Sequence, residues 1–214
     1  MPYLLFNRFL YSFSQTDAIN DSLINEICKT LSSNKDLADS IRFREISQKH
    51  IYPVVIKIDS SKQDDAFEFI SARLQRNCNA FKLLLDRMYP NKGDWVREDK
   101  KPISSLDKKT CEDFIKIKTY SYLEANGDTV HLTIENNFWE DHFLDGTYSR
   151  LKFYWTRDCE FEIEFVESNN ETRKNFSRPG DKYKYQILEK DNGYYKLSVE
   201  IVGTNQFYTF KVYY

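Results

Sequence analysis

The sequence predicts an α+β protein: an N-terminal small helical bundle followed by an antiparallel β-meander that curls into a lipocalin-like barrel or half-barrel. Three observations carry this expectation. Apolar residues recur at helical steps in the first part of the chain and at every second residue in the last hundred or so. Aromatic residues crowd the second part, with 22 of the chain's 34 in residues 101–214 and only 7 in residues 17–100. Turn dipeptides that suit tight hairpins recur in the second part. The resulting division is 1–16 as a signal-peptide remnant, 17–90 as a helical domain, 91–104 as a linker, and 105–214 as a β-domain.

In the helical part, Asp17 or Asn20 can cap a first helix whose apolar residues are Ile19, Leu23, Ile24, Ile27 and Leu31. Asp36 starts a second, carrying Leu37, Ile41 and Ile46, that ends or bends before Pro53, because the proline ring collides with the preceding turn. The run Val54-Val55-Ile56-Lys57-Ile58 is β-branched like a strand yet flanked by helices, so it stays open between the two. A third helix, Gln63 to Met88, puts Phe67, Ile70, Leu74, Cys78, Phe81, Leu85 and Met88 on one stripe. Asp64 and Asp65 lie at the positive end of its dipole. From Asn91 to Pro102 a polar run with Gly93 loses all apolar periodicity and reads as the linker.

In the β-domain, Cys159, Phe161, Ile163 and Phe165 alternate with Glu160, Glu162 and Glu164, so one face is apolar and the other anionic. The same alternation runs through Leu151, Phe153 and Trp155, through Tyr195 to Ile201, and through Tyr208 to Tyr214. Asn126-Gly127, Asp145-Gly146, Arg157-Asp158, Pro179-Gly180 and Asn192-Gly193 mark the connections. Lys152, Lys184 and Lys196 are the expected cross-strand partners of the acidic stripe. About seven strands joined by hairpins make a meander, and closure into a barrel removes its exposed edges.

Composition excludes several roles. With 31 Lys+Arg against 33 Asp+Glu, the net charge of −2 offers no footprint for nucleic acid or anionic lipid. No apolar run reaches the roughly 18 residues of a membrane span. The apolar patch Leu4-Leu5-Phe6 to Phe13, followed by Ser14-Gln15, matches a degenerate signal peptide, although Asn7-Arg8 interrupts it and no basic residue precedes it. Its competing reading is a short amphipathic element of the fold.

Four cysteines, Cys28, Cys78, Cys111 and Cys159, contain no Cys-x2-Cys pair, which argues against zinc and for disulfides. Of the three connectivities, Cys28–Cys78 with Cys111–Cys159 keeps each bridge inside one structural unit. Disulfides imply an oxidising compartment, periplasmic or secreted; four reduced buried thiols in a cytoplasmic protein are the alternative.

The second part, with Cys111-Glu112-Asp113-Phe114 and then Trp155-Thr156-Arg157-Asp158-Cys159-Glu160-Phe161, resembles uncharacterised small exported proteins of Bacteroidota. The first part, with Glu26-Ile27-Cys28 and Arg76-Asn77-Cys78, resembles helical modules of similar exported proteins. Phe161 stands where that family more often has Tyr. The resemblance implies export and cross-links, and brings no activity and no catalytic residues.

Candidate chemistry is sparse. His131, Glu135, Glu140, Asp141 and His142 are the one local concentration of metal-ligating types, without ligand spacing, so no metal is expected; His50 reads as a helix-end residue. Nucleophile elbows and phosphate-binding glycine loops are missing, so no cofactor is expected and no catalytic residues are assigned. Tyr120, Tyr122 and Tyr154 fall on positions shared with lysines and form the candidate binding surface. The expected function is that of a non-catalytic, exported binding or interaction module of the cell envelope, its partner an unknown protein. The alternative is a lipocalin-like carrier enclosing a small apolar ligand, and an enzyme is the remote third.

Overall fold

The computed structural model describes residues 19–202 and 206–214; the predicted signal-peptide remnant and Asp17 lie outside them. The chain divides into two compact units at Leu84/Leu85.

The first unit is helical. Helix α1 (Asp21–Ser33) starts where the Asn20 side chain accepts a hydrogen bond from the Leu23 N–H, and it buries Ile24, Ile27 and Leu31. Helix α2 (Asp39–Ile46) runs into a single π turn, Ser47–Ile51, and then a short α3 (Tyr52–Val55). Pro53 explains the widened turn. It has no N–H to donate and its ring would strike the carbonyl four residues back, so the Tyr52 N–H reaches to Ser47 O instead. Residues 54–58 are therefore helix and turn. The turn also places His50 Nε2 2.8 Å from Thr30 Oγ1, which ties it to α1.

The expected third helix is two, α4 (Gln63–Asn77) and α5 (Asn79–Met88), with Cys78 extended between them. Cys78 bonds to Cys28 of α1, with Cα atoms 5.5 Å apart. Four residues assigned to apolar stripes, Leu37, Ile41, Phe67 and Met88, are exposed. In α2 the inward face carries Arg42 and Ile46. Arg42 is buried because its guanidinium donates to Leu31 O (2.9 Å) and pairs with Asp39 (3.1 Å), satisfying a charge that would otherwise be costly inside.

The second unit is a closed antiparallel barrel. Its strands are β1 (Val96–Glu98), β2 (Thr119–Leu123), β3 (Thr129–Glu135), β4 (Phe138–His142), β5 (Tyr148–Arg157), β6 (Glu160–Ser168), β7 (Lys182–Asp191), β8 (Tyr194–Ile201) and β9 (Gln206–Tyr213). From β2 to β9 each strand pairs with the next, and the Ser121–Tyr213 pairing of β2 with β9 closes eight strands on themselves. Strand β1 is a ninth, added beside β9. Two short helices, α6 (Lys108–Phe114) and α7 (Glu171–Phe176), complete the unit.

Period-two alternation builds the interior as expected. Phe161 and Ile163 of β6 meet Phe153 of β5 and Leu197 and Val199 of β8 in one core, while Glu160, Glu162 and Glu164 face outward. The partners of that acidic stripe differ from expectation. Register sets Lys152 opposite Glu164 and Lys184 opposite Glu162, yet the ion pairs come from Lys182 to Glu162 (2.7 Å) and Glu164 (3.7 Å), and from Arg157 (2.6 Å) and Lys101 (3.1 Å) to Glu160. Lys196 stands opposite Glu189 instead. Arg157 and Glu160, and Lys182 and Glu164, are directly opposed in register, and Lys182 also reaches diagonally to Glu162.

The segment read as a linker belongs partly to the barrel. The Trp95 ring stacks on Phe210 at 4.1 Å and donates Nε1–H to Leu123 O at 2.7 Å. Gly93 permits this approach, since a Cβ there would lie 2.3 Å from Glu124 O.

Candidate functional site

Two features of the barrel hold polar chemistry, one inside and one outside. Inside, α7 presents Arg173 to the end where β2 and β4 finish. Asn170 caps α7 by accepting from the Arg173 N–H, which fixes the helix start. The Arg173 guanidinium forms an ion pair with Glu124 and lies 5.1 Å over the Phe143 ring. Deeper in, the Trp139 indole donates to Asp141 Oδ1 at 2.9 Å, and the Tyr122 hydroxyl bonds to the same carboxylate. Burial pushes the Asp141 carboxyl up to about 6, against the pull of Arg173 and the Trp139 and Tyr122 bonds. Burial also drives Tyr122 and Tyr185 well above the ordinary phenol range, so both stay protonated donors. For Arg173, burial works against the charge, and Glu124, Tyr122 and Asp141 together more than offset it, so the guanidinium stays cationic. The Trp139 ring that holds Asp141 packs in turn on Tyr185, with ring centroids 5.4 Å apart.

That opposite end is closed by α6. Phe114 stacks on Tyr120 (4.9 Å) and Phe161 (5.7 Å) and meets Tyr195 edge-on (5.3 Å). The bridge Cys111–Cys159, with Cα atoms 5.1 Å apart, holds α6 to the β5–β6 turn. Between the two ends, Phe161 makes further ring contacts with Trp139, Phe153 and Tyr185. The barrel axis is occupied by aromatic side chains.

Outside, an open groove of about 490 Å³ lies between the β3–β4 turn and the end of β5, lined by Asn136, Asn137, Phe138, Lys152, Phe153, Tyr154 and Trp155. Asn136 and Asn137 both take positive φ (53° and 63°), which gives a two-residue hairpin turn whose twist matches the flanking strands. Tyr154 is 42% exposed and Lys152 is exposed beside it. Phe138 carries the Arg150 guanidinium 4.9 Å over its ring.

The residues singled out from sequence separate accordingly. Tyr154 lies on the outer face, in the groove. Tyr120 and Tyr122 are 4% and 6% exposed and point into the barrel, which corrects their assignment to a binding surface. In β2 the two tyrosines take the buried positions, which alternate with the more exposed Thr119, Ser121 and Leu123. Tyr120 instead donates to Phe114 O at 2.6 Å. All four cysteines are in the expected disulfides. Of the histidine–carboxylate concentration, Asp141 turns inward while His131, Glu135 and His142 stay outside; Glu140 pairs with Arg150, and Glu135 with Lys118. Among the described residues no group of three or more potential ligands converges on one point. Arg173 and the Asn136–Asn137 turn were missed. Asn-Asn between two alternating runs is a legible turn signal, whereas nothing local marks Arg173.

No family model, curated protein or solved structure matches this chain. Fold and site define its class directly: an α+β protein with a disulfide in each unit and a closed eight-stranded antiparallel barrel. No helix among the described residues is long and apolar enough to cross a membrane.

Proposed function

We propose that this chain is a non-catalytic binding module of an oxidising, exported compartment, and that its barrel is a rigid frame for the groove around Tyr154. The observation that carries this reading is the contrast between an axis filled by packed rings and an open groove outside it. A rigid ring such as Tyr154 contributes contact area at small entropic cost, which is why tyrosine is favoured at recognition surfaces. Two disulfides support an oxidising compartment, in line with the resemblance to exported Bacteroidota proteins. Asp141 has the raised pKa that marks many active sites, but it is buried and bonded to Trp139 and Tyr122, which favours a structural role.

Closure of the barrel favours the carrier reading as the second choice, since carriers of apolar ligands use this architecture. Amide shift mapping on ¹⁵N-labelled protein separates the two. The binding-module reading expects a mixed panel of short peptides and oligosaccharides to perturb residues 136–138 and 152–155. Perturbation of interior residues such as Leu132, Phe161 and Leu197 by palmitate would replace it with the carrier.

A further inference from the structure

The outer groove lies beside an unpaired stretch of sheet edge. Strand β4 pairs with β5 only from Phe138–Lys152 to His142–Tyr148, so residues 153–157 of β5 overrun it. The Phe153 N–H donates to Asn137 O at 2.8 Å, the last backbone bond on that side. Backbone groups on a strand alternate sides, so Trp155, two residues on, turns its N–H and C=O the same way, past the end of β4 and into the groove. On the other side these residues pair with β6, through Tyr154–Glu162 and Trp155–Phe161. The Asn136–Asn137 turn, by reversing the chain within two residues, leaves the space beside Trp155 open.

We propose that this groove binds an extended acidic peptide segment, which adds as a short strand along residues 153–157 of β5. Resting on the reading of the groove as the binding surface, the proposal names its occupant. An unpaired edge offers directional backbone donors and acceptors, and extended peptides satisfy them while side chains of one parity reach the flanking pocket. Five residues of β5 span about 13 Å, and a register irregularity between Trp155 and Arg157 centres a partner strand on Trp155. Phe138 and Tyr154 flank the position its apolar side chain would occupy, on the face where both project. Charge sets the sign of the partner. Lys152 makes no ion pair among the described residues, because Glu164 opposite it is engaged by Lys182, while Glu135 at the turn is engaged by Lys118. The uncompensated charge at the groove is therefore positive. Closed barrels normally protect their edges, and this stretch carries no proline, nor does any strand among the described residues cover it.

The test is fluorescence anisotropy with the full disulfide-bonded chain and a labelled hexapeptide Glu-Thr-Val-Thr-Glu-Thr, which sets glutamate and valine on one face of the strand as Lys152 and Tyr154 are on theirs, paired with amide shift mapping. Saturable binding is expected, with shifts at 136–138 and 152–157. N-methylation of alternate peptide amides should weaken binding about tenfold or more, as expected for lost backbone hydrogen bonds. Tyr154→Ala should weaken it about tenfold with an unchanged melting temperature. Lys152→Glu should reverse the preference toward the same peptide with lysine in place of both glutamates. Equal binding of the N-methylated peptide, or unchanged charge preference in Lys152→Glu, would overturn the strand proposal. So would displacement of the peptide by self-association of the chain. Groove shifts with cellohexaose but not with peptide would also overturn it, while leaving the groove as the binding surface. Silence of the groove toward peptide and sugar alike would remove both readings.

Discussion

The helical unit and the barrel each carry one disulfide, closing loops of 50 and 48 residues, yet the two units depend on their bridges for different reasons. In the barrel, strands 40 or more residues apart share one continuous aromatic core, and every strand from β2 to β9 has two neighbours. In the helical unit apolar residues such as Leu37, Ile41 and Phe67 remain exposed, while Arg42, Arg73 and Arg76 occupy buried positions. Cys28–Cys78 there joins α1 to the break between α4 and α5, where the backbone is extended and makes no helical continuation. A bridge of equal entropic worth thus supplements an aromatic core in one unit and, among the described residues of the other, joins helices whose buried faces carry arginines.

The sharpest way to break this comparison is to remove the ring at the centre of the barrel core. Phe161→Ala should cost about 3–5 kcal/mol, measured by urea unfolding followed through aromatic near-ultraviolet dichroism. A loss below 1 kcal/mol would mean that the axis is not packed. Removing one bridge at a time comes next. Each closes a loop worth about 4 kcal/mol in the chain-entropy model. The double variant Cys28→Ser/Cys78→Ser should lose helical signal at 222 nm while the barrel keeps its near-ultraviolet spectrum. Cys111→Ser/Cys159→Ser should lower the barrel's unfolding midpoint and leave it folded. Loss of the barrel in the second variant, with helices intact in the first, would reverse the comparison.

The interior knot gives a smaller effect with a pH signature. Asp141 titrates near 6 when folded, above its ordinary 3.8. Between those values the folded state holds a proton that the unfolded chain has released. Stability from this group is therefore complete below about pH 4 and lost as pH rises through about 6. Asp141→Asn cannot ionise and still accepts from Trp139, so it should exceed wild type at pH 7 by on the order of 2 kcal/mol. The advantage should vanish by pH 4, and an advantage constant with pH would show that ionisation is not its source. Smallest of all, Glu162→Ala removes a surface pair with Lys182 and should change stability by less than about 1 kcal/mol in the same assay.

Legibility followed the kind of interaction. In β6 the sequence Glu160-Phe161-Glu162-Ile163-Glu164-Phe165 dictates which face is buried, because period two in the side chains is period two in the strand. The cysteine pairing was legible because each unit holds two. In α2 the same style of reading held for Ile46, which is buried, but not for Leu37 and Ile41, which are exposed while Arg42 is inside. A helix can rotate its buried face by one residue if a charge there finds partners, as Arg42 does in Leu31 O and Asp39. Tyr122 was misplaced because it was read as lying outside the apolar alternation, whereas β2 alternates with Tyr120 and Tyr122 on the buried side. For Tyr154 the outer position was readable, but the groove around it depends on where β4 stops.

By itself the sequence determined the α+β division, the antiparallel meander, the inward set of most strands and the two bridges. Each of these rests on residues close in sequence or on counting within one unit. Tertiary structure alone decided that eight strands close, that Trp95 and β1 join them, that Arg173 meets Glu124 across 49 residues, and that β5 outruns β4. Those outcomes depend on strand register and on partners far apart in sequence, where many pairings satisfy the same local pattern and only the simultaneous packing of all of them selects one.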